Sequence, residues 1–156
     1  NIDIDFFVVG DGIDKENSKE FLSKQNITNF FFLPKVSSKY IHSYLKFADV
    51  LLIHLKCDPL FKITIPSKLQ NYLYIGKPIL GAIEGEASEI IKYSRSGIIA
   101  KPSNPNSIAN AAIKLSKTSK NDLFLMGKNG NNFYNRNLSM KKGVEQFISI
   151  FEELKK

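Results

Sequence analysis

Residues 65–83 read IPSKLQNYLYIGKPILGAI, a helix followed by a strand with both boundaries written in. Pro66-Ser67-Lys68 opens a helix that carries Leu69, Tyr72 and Leu73. Gly76 closes it, and Pro78 stands just beyond. Proline in the first turn and glycine after the last is the expected asymmetry of helix ends. Ile79 to Ile83 is then a strand-length apolar run. Upstream, Asp49 to Leu55 (DVLLIHL) is another strand, apolar on both faces, and a loop over Lys56 to Ile65 joins it to the helix. A strand, a crossover helix and a second strand predict a parallel pair.

The same alternation extends in both directions. Ile2 to Val9 (IDIDFFVV) begins as strict alternation and ends as a continuous apolar run, a strand entering a core, and Gly10-Asp11-Gly12 turns the chain. Asp14 is placed to cap a helix reaching about Lys24, with Phe21 and Leu22 as its apolar face. Thr28 to Leu33 reads as a buried strand stopped by Pro34. Ser37 and Ser38 are N-cap candidates for a helix carrying Ile41, Leu45 and Ala48. Downstream come a helix over Ala87 to Tyr93, a strand over Gly97 to Ala100, and helices at about Pro105–Thr118, Asn121–Asn135 and Met140–Lys155. Strands alternating with helices predict an α/β fold, a doubly wound parallel sheet with helices on both faces.

The 156 residues, 43% apolar and 24% charged, make one domain's worth of chain, enough to bury a core without a disulfide or metal staple. A two-domain enzyme complete within this chain is excluded. The single cysteine, Cys57, has no internal partner, and no Cys/His cluster offers metal-ligand spacing, which fits a reducing compartment, the cytoplasm by default. Asn1 to Asp5 is acidic and does not read as a signal peptide. Apolar runs such as Phe30–Leu33 and Val50–Ile53 are far shorter than a membrane span. The net charge of +7 is concentrated between Lys101 and Lys142, where Lys101, Lys114, Lys117, Lys120, Lys128, Arg136, Lys141 and Lys142 face Asp122 alone. The remainder is neutral. Arginine, the residue of bidentate base and phosphate recognition, occurs only at Arg95 and Arg136, and the aromatics do not interleave with the lysines. The tract reads as a solvated lysine face and not as a nucleic-acid surface.

In an open parallel sheet, ligands bind beyond the carboxyl ends of the strands, so the turns there are the candidates. Gly10-Asp11-Gly12 admits close approach of a ligand to the backbone, or only a tight turn. Pro34-Lys35-Val36 offers amides and a cation, or a simple connection. Thr64-Ile65-Pro66-Ser67-Lys68-Leu69 places the orphan N–H groups of a helix start, a hydroxyl and an ammonium at the rim, which suits a phosphate or an ordinary capped helix. In Glu84-Gly85-Glu86 the acids are macrodipole partners of the next helix or holders of sugar hydroxyls. His42 and His54 enter no Ser/His/Asp or metal arrangement.

Taken in order, Ile65-Pro66-Ser67-Lys68-Leu69, Tyr72-Leu73, Gly76-Lys77-Pro78-Ile79, Gly85-Glu86-Ala87 and Glu89-Ile90 resemble the carboxy-terminal half of retaining GT-B glycosyltransferases of the group 1 type. The likeness is greatest to the bacterial branch that transfers amino- or deoxyhexoses in O-antigen and capsule synthesis. Val9-Gly10-Asp11-Gly12, Ala48 to Leu55, Lys101-Pro102, Ile108-Ala109 and Met126 to Gly130 agree, so the similarity covers nearly the whole chain.

The resemblance implies a Rossmann-like domain that binds a nucleoside diphosphate sugar, a UDP-sugar, without a metal or other cofactor. Gly10 and Gly12 would approach the donor, Pro34, Lys35 and Val36 would meet the base, and the amides of Ser67, Lys68 and Leu69 would hold the pyrophosphate. Asn71 stands where the family commonly has a glutamate on the ribose hydroxyls, Ile63 stands where it has another, and Glu86 lies beside the sugar. No catalytic residue is assigned. The resemblance also implies that an amino-terminal partner domain, and a first strand-helix unit with an Arg and a Lys, lie outside this stretch. The strands beside that missing unit would be left unpaired, and the fragment alone would be inactive. It implies a lipid-linked acceptor and a peripheral place at the inner face of the plasma membrane. Alternatives are a nonenzymatic or degenerate sugar-nucleotide-binding domain and a fragment of a GT-B sugar-nucleotide epimerase.

Overall fold

The computed structural model describes residues 3–155. Its elements run β1 (Phe6–Val9), α1 (Lys15–Lys24), β2 (Phe30–Leu33), α2 (Ser38–Phe47), β3 (Leu51–His54), α3 (Pro59–Lys62), α4 (Ser67–Ile75), β4 (Ile79–Ala82), α5 (Glu86–Tyr93), β5 (Gly97–Ala100), α6 (Pro105–Ser116), α7 (Lys120–Asn137) and α8 (Met140–Glu153). Every strand pairing is parallel with a helical crossover, so the predicted Rossmann-like α/β class holds. The chain divides into two compact units, Asn1–Tyr44 and Leu45–Lys156.

In the first unit β1 and β2 pair from Phe6↔Phe30 to Val9↔Leu33. Side chains alternate across the ribbon, so a stacked aromatic pair lies on each face: Phe6 on Phe30 with centroids 4.5 Å apart and Phe7 on Phe31 at 5.1 Å. Such cross-strand pairs are the unit of sheet stabilisation. The strand expected over Ile2–Val9 starts at Phe6, because pairing begins with the Phe6 N–H donating to the Asn29 carbonyl; Ile2 lies outside the described residues. β2 is shorter than Thr28–Leu33 and is not buried as expected, with Phe31 41% exposed. Asp14 occupies the N-cap position of α1 at φ −92°, ψ 8°, but its side chain accepts no capping hydrogen bond.

In the second unit β3, β4 and β5 form a three-stranded sheet in that order. β4 is central and all four of its residues are buried. Ile53, Leu69, Leu73, Ile79, Ile83, Ala87 and Ile91 build one core cluster, and Leu80, Ala82, Ala100, Ala111 and Leu115 another. Of β3 only Leu51 and Ile53 are buried; Leu52 and His54 are exposed, so this strand is not apolar-covered on both faces as its composition suggests. Among the described residues β1, β2, β3 and β5 each pair along one side only, and β4 pairs along both. Helix α4 packs on α7 closely because Gly127 abuts the backbone of Gly76, the left-handed C-cap of α4 at φ 74°, ψ 37°. Amphipathic α8 leaves Val144, Phe147, Ile148 and Phe151 exposed. Among the described residues no helix is long and apolar enough to cross a membrane.

Candidate functional site

In the first unit the parallel register puts the turns after β1 and β2 side by side. The Gly10 N–H donates to the Leu33 carbonyl at 3.2 Å. Gly10 has φ 128°, and a Cβ at Gly10 or Gly12 would meet no atom within 4 Å. The space over this turn is therefore open, and glycine at position 10 is required by the backbone angle. Lys15 ties the turn down, its ammonium 3.2 Å from the Gly10 carbonyl and 3.8 Å from Asp11 Oδ1. Pro34 and Lys35 are exposed and Val36 is half-buried. The structure thus brings Gly10, Gly12, Pro34, Lys35 and Val36 to one end of the two-stranded ribbon.

In the second unit the corresponding edge carries the starts of α4 and α5, neither with a side-chain cap, and the two differ in charge. The N-cap of α4 is Pro66, which lacks both an N–H and a side-chain acceptor, and the first turn holds no acid. The Leu69 N–H donates to the Pro66 carbonyl at 2.9 Å, while the amides of Ser67 and Lys68 have no acceptor among the described residues. Helices α3, α6, α7 and α8, by contrast, each have a side-chain cap, from Asp58, Asn104, Ser119 and Ser139. Orphan amides together with an uncompensated positive dipole end make the α4 start receptive to an anion. Ser67 and Asn71, four residues apart, share its solvent side with Lys68, and all three are exposed.

The start of α5 is already neutralised. Glu86 and Glu89 stand in its first turn, and the Gly85 carbonyl accepts from the Ser88 hydroxyl at 2.7 Å. Glu86 is exposed there. Its neighbour Glu84 accepts an ion pair from Lys62 at 3.1 Å. That contact raises the Lys62 ammonium above the ordinary lysine pKa, through the Glu84 hydrogen bond first and its charge second. Gly85, at φ 74° and ψ −152°, lies against the Lys62 backbone, where any Cβ would collide with it.

Sequence alone does not disclose the Lys62–Glu84 pair, and the one-turn helix α3 lies inside the segment that reads as a loop. The signal for α3 was present: Asp58-Pro59 is a cap followed by a first-turn proline, and the Leu60 N–H donates to Asp58 Oδ1 at 2.8 Å. Among the described residues no group of three or more His, Cys, Asp or Glu side chains is placed to hold a metal.

The family model for glycosyl transferases group 1 matches residues 1–133. An uncharacterized glycosyltransferase of Methanocaldococcus jannaschii is 23% identical over 154 residues, covering 99% of this chain and 42% of that protein. Among solved structures, Anabaena HepE in complex with UDP superposes with a TM-score of 0.79 at 15% identity, over 96% of this chain and 41% of HepE. A glycosyltransferase from Rickettsia africae gives a TM-score of 0.77 at 16% identity, over 99% of this chain and 41% of its own. These two establish a shared GT-B fold, and the chain spans about two fifths of the length of the relatives it matches.

Proposed function

This chain belongs to the group 1 glycosyl transferases, and from that premise we propose that it is the donor-binding half of a retaining glycosyltransferase. The donor is a nucleoside diphosphate sugar, a UDP-sugar, and the acceptor a glycan or lipid-linked glycan in cell-surface polysaccharide synthesis. An amino-terminal domain supplies the facing wall of the cleft, and the whole enzyme works peripherally at the inner membrane face.

The observation that carries the reading is the uncapped, acid-free start of α4. The Ser67 and Lys68 amides and the Lys68 ammonium suit the pyrophosphate, whose charge grows as the bond to the sugar breaks. Fixed donors aimed at developing charge stabilise a transition state without reorganisation at the moment of reaction. Asn71, on the same side of the helix, offers an uncharged hydrogen bond to the ribose. In the first unit Gly10 and Gly12 leave room for the donor, and Pro34, Lys35 and Val36 present amides and a cation to the base. Leu69 contributes less than its neighbours, since its N–H already donates to Pro66. HepE, which shares the fold, was solved with UDP and supports that choice of nucleotide.

Titration with UDP followed by amide NMR tests the proposal. Lys35, Ser67 and Asn71 should shift, and Ser67→Pro combined with Asn71→Ala should abolish the effect. Proline fits this first helical position, which tolerates the loss of its N–H, so the variant removes a donor while keeping the helix. Binding unaffected by the pair of changes would refute the assignment. A second reading, a binding domain that has lost its chemistry, is favoured by Ile63, 71% exposed where the family carries a glutamate. It predicts that the longer polypeptide binds UDP yet transfers no sugar.

A further inference from the structure

The segment between β3 and α4, residues 55–66, is long for a connection within a compact unit and buries little: Leu60 is 60% and Ile63 71% exposed. Its polar ties to the rest of the unit after Leu55 converge on one turn. Lys62 Nζ lies 3.1 Å from Glu84 Oε2, Cys57 Sγ lies 4.0 Å from the same oxygen, and the Lys62 backbone rests on Gly85 in a space only glycine leaves open. The side-chain ion pair of this segment with the β4–α5 turn is the one at Lys62. From there Ile63 to Pro66 lead directly into the two orphan amides.

We propose that the Lys62–Glu84 ion pair, seated on Gly85, is a latch that holds the approach to α4 against the β4–α5 turn and so positions the Ser67 and Lys68 amides for the donor diphosphate. The inference rests on the donor-binding reading above. Lys62 and Glu84 are positioning residues and touch no phosphate themselves. Both side chains are about half exposed, at 51% and 42%, so the latch is weak and screened by salt, and its loss should change affinity by about two- to fivefold.

The test is calorimetric titration of this chain with UDP, which carries no sugar for Glu84 to contact. Lys62→Met and Glu84→Gln should each weaken binding two- to fivefold with the melting temperature unchanged, and the double variant should be no weaker than either. The exchanged pair Lys62→Glu with Glu84→Lys should recover most of the loss, and the gap between wild type and variants should narrow in 1 M salt. If Lys62 instead bound phosphate directly, the exchange would deepen the loss, and that result overturns the latch. Variants that bind UDP as the wild type does overturn it too, leaving the donor reading intact. A wild-type chain that does not bind UDP overturns the donor reading itself.

Discussion

The contact between Gly127 and Gly76 allows one substitution to be predicted with opposite signs at two helix positions. A Cβ on Gly127 would meet the Gly76 carbonyl group, with its carbon 2.7 Å away, and Lys77 Cα at 3.3 Å. Carbon atoms rest at about 3.5–4.0 Å, so α7 must retreat from α4 by roughly 1 Å, and the obstacle is backbone that no rotamer change can move aside. Overpacking of this kind costs about 1–3 kcal/mol, against about 0.5–1 kcal/mol gained by replacing glycine inside a helix. Because the obstacle is backbone, the cost falls in the upper part of that range, about 2–3 kcal/mol, so Gly127→Ala should destabilise by about 1–2.5 kcal/mol, a fall in Tm of about 2–10 °C at this chain length. Gly143, inside α8, has no atom within 4 Å of its would-be Cβ, so Gly143→Ala should stabilise that helix by about 0.5–1 kcal/mol. Urea denaturation followed by circular dichroism reads both, with hydrogen exchange resolving α8 if it opens separately. A Gly127→Ala chain as stable as wild type would refute the packing argument. Equal effects at the two positions would reduce it to helix propensity.

Two further outcomes follow from the same unit. Burial of Tyr72 raises its phenol above the ordinary tyrosine pKa, so above about pH 10 the unfolded chain releases a proton that the folded chain keeps, and stability falls as pH rises, by at most about 1.4 kcal/mol per pH unit. Tyr72→Phe should flatten that decline above about pH 10 in urea titrations; an unchanged slope would count against the buried phenol. Asn71→Glu places a carboxylate on the exposed side of α4, where a charge-assisted bond to ribose is about twice as strong as a neutral one, and should tighten UDP binding severalfold in calorimetry, whereas weaker binding would remove Asn71 from the ribose.

What the amino-acid order disclosed and what it withheld divide along the range of the interactions. Local chemistry set the ends of α4, where Pro66 and Gly76 do their work within one or two residues, and the strand Gly97–Ala100 emerged with the bounds read from sequence. Pairing and cover were not local. Thr28 reads as strand by composition, yet the ladder begins at Phe30 because its partner begins at Phe6, and β2 carries four apolar residues without becoming buried. Helix α3 is a single turn, too short for any periodicity to register. Lys62 and Glu84 stand 22 positions apart, and nothing in either neighbourhood marks the other. For the α4 start, sequence alone balances an anion site against an ordinary capped helix; the structure shows that its N-cap, Pro66, supplies no side-chain cap.

The two turns at the carboxyl edge of the second unit carry opposite electrostatic character, and that contrast bears on orientation. The α4 start offers amides, a dipole end and Lys68 without an acid in its first turn, whereas the β4–α5 turn holds Glu84 and the first turn of α5 holds Glu86 and Glu89. A diphosphate is drawn to the first and repelled by the second; a hydroxyl-rich sugar is compatible with the second. The Lys62–Glu84 pair removes one of those carboxylates from the field felt at α4, so the latch and the charge separation act in the same direction. The excess of positive charge between Lys101 and Lys142 belongs to the segment that begins after β5 and runs through α6 and α7 into α8, so the net charge of the chain is no measure of its affinity for a donor. Under the donor-binding proposal, that affinity is set instead by the Ser67 and Lys68 amides, which have no acceptor among the described residues.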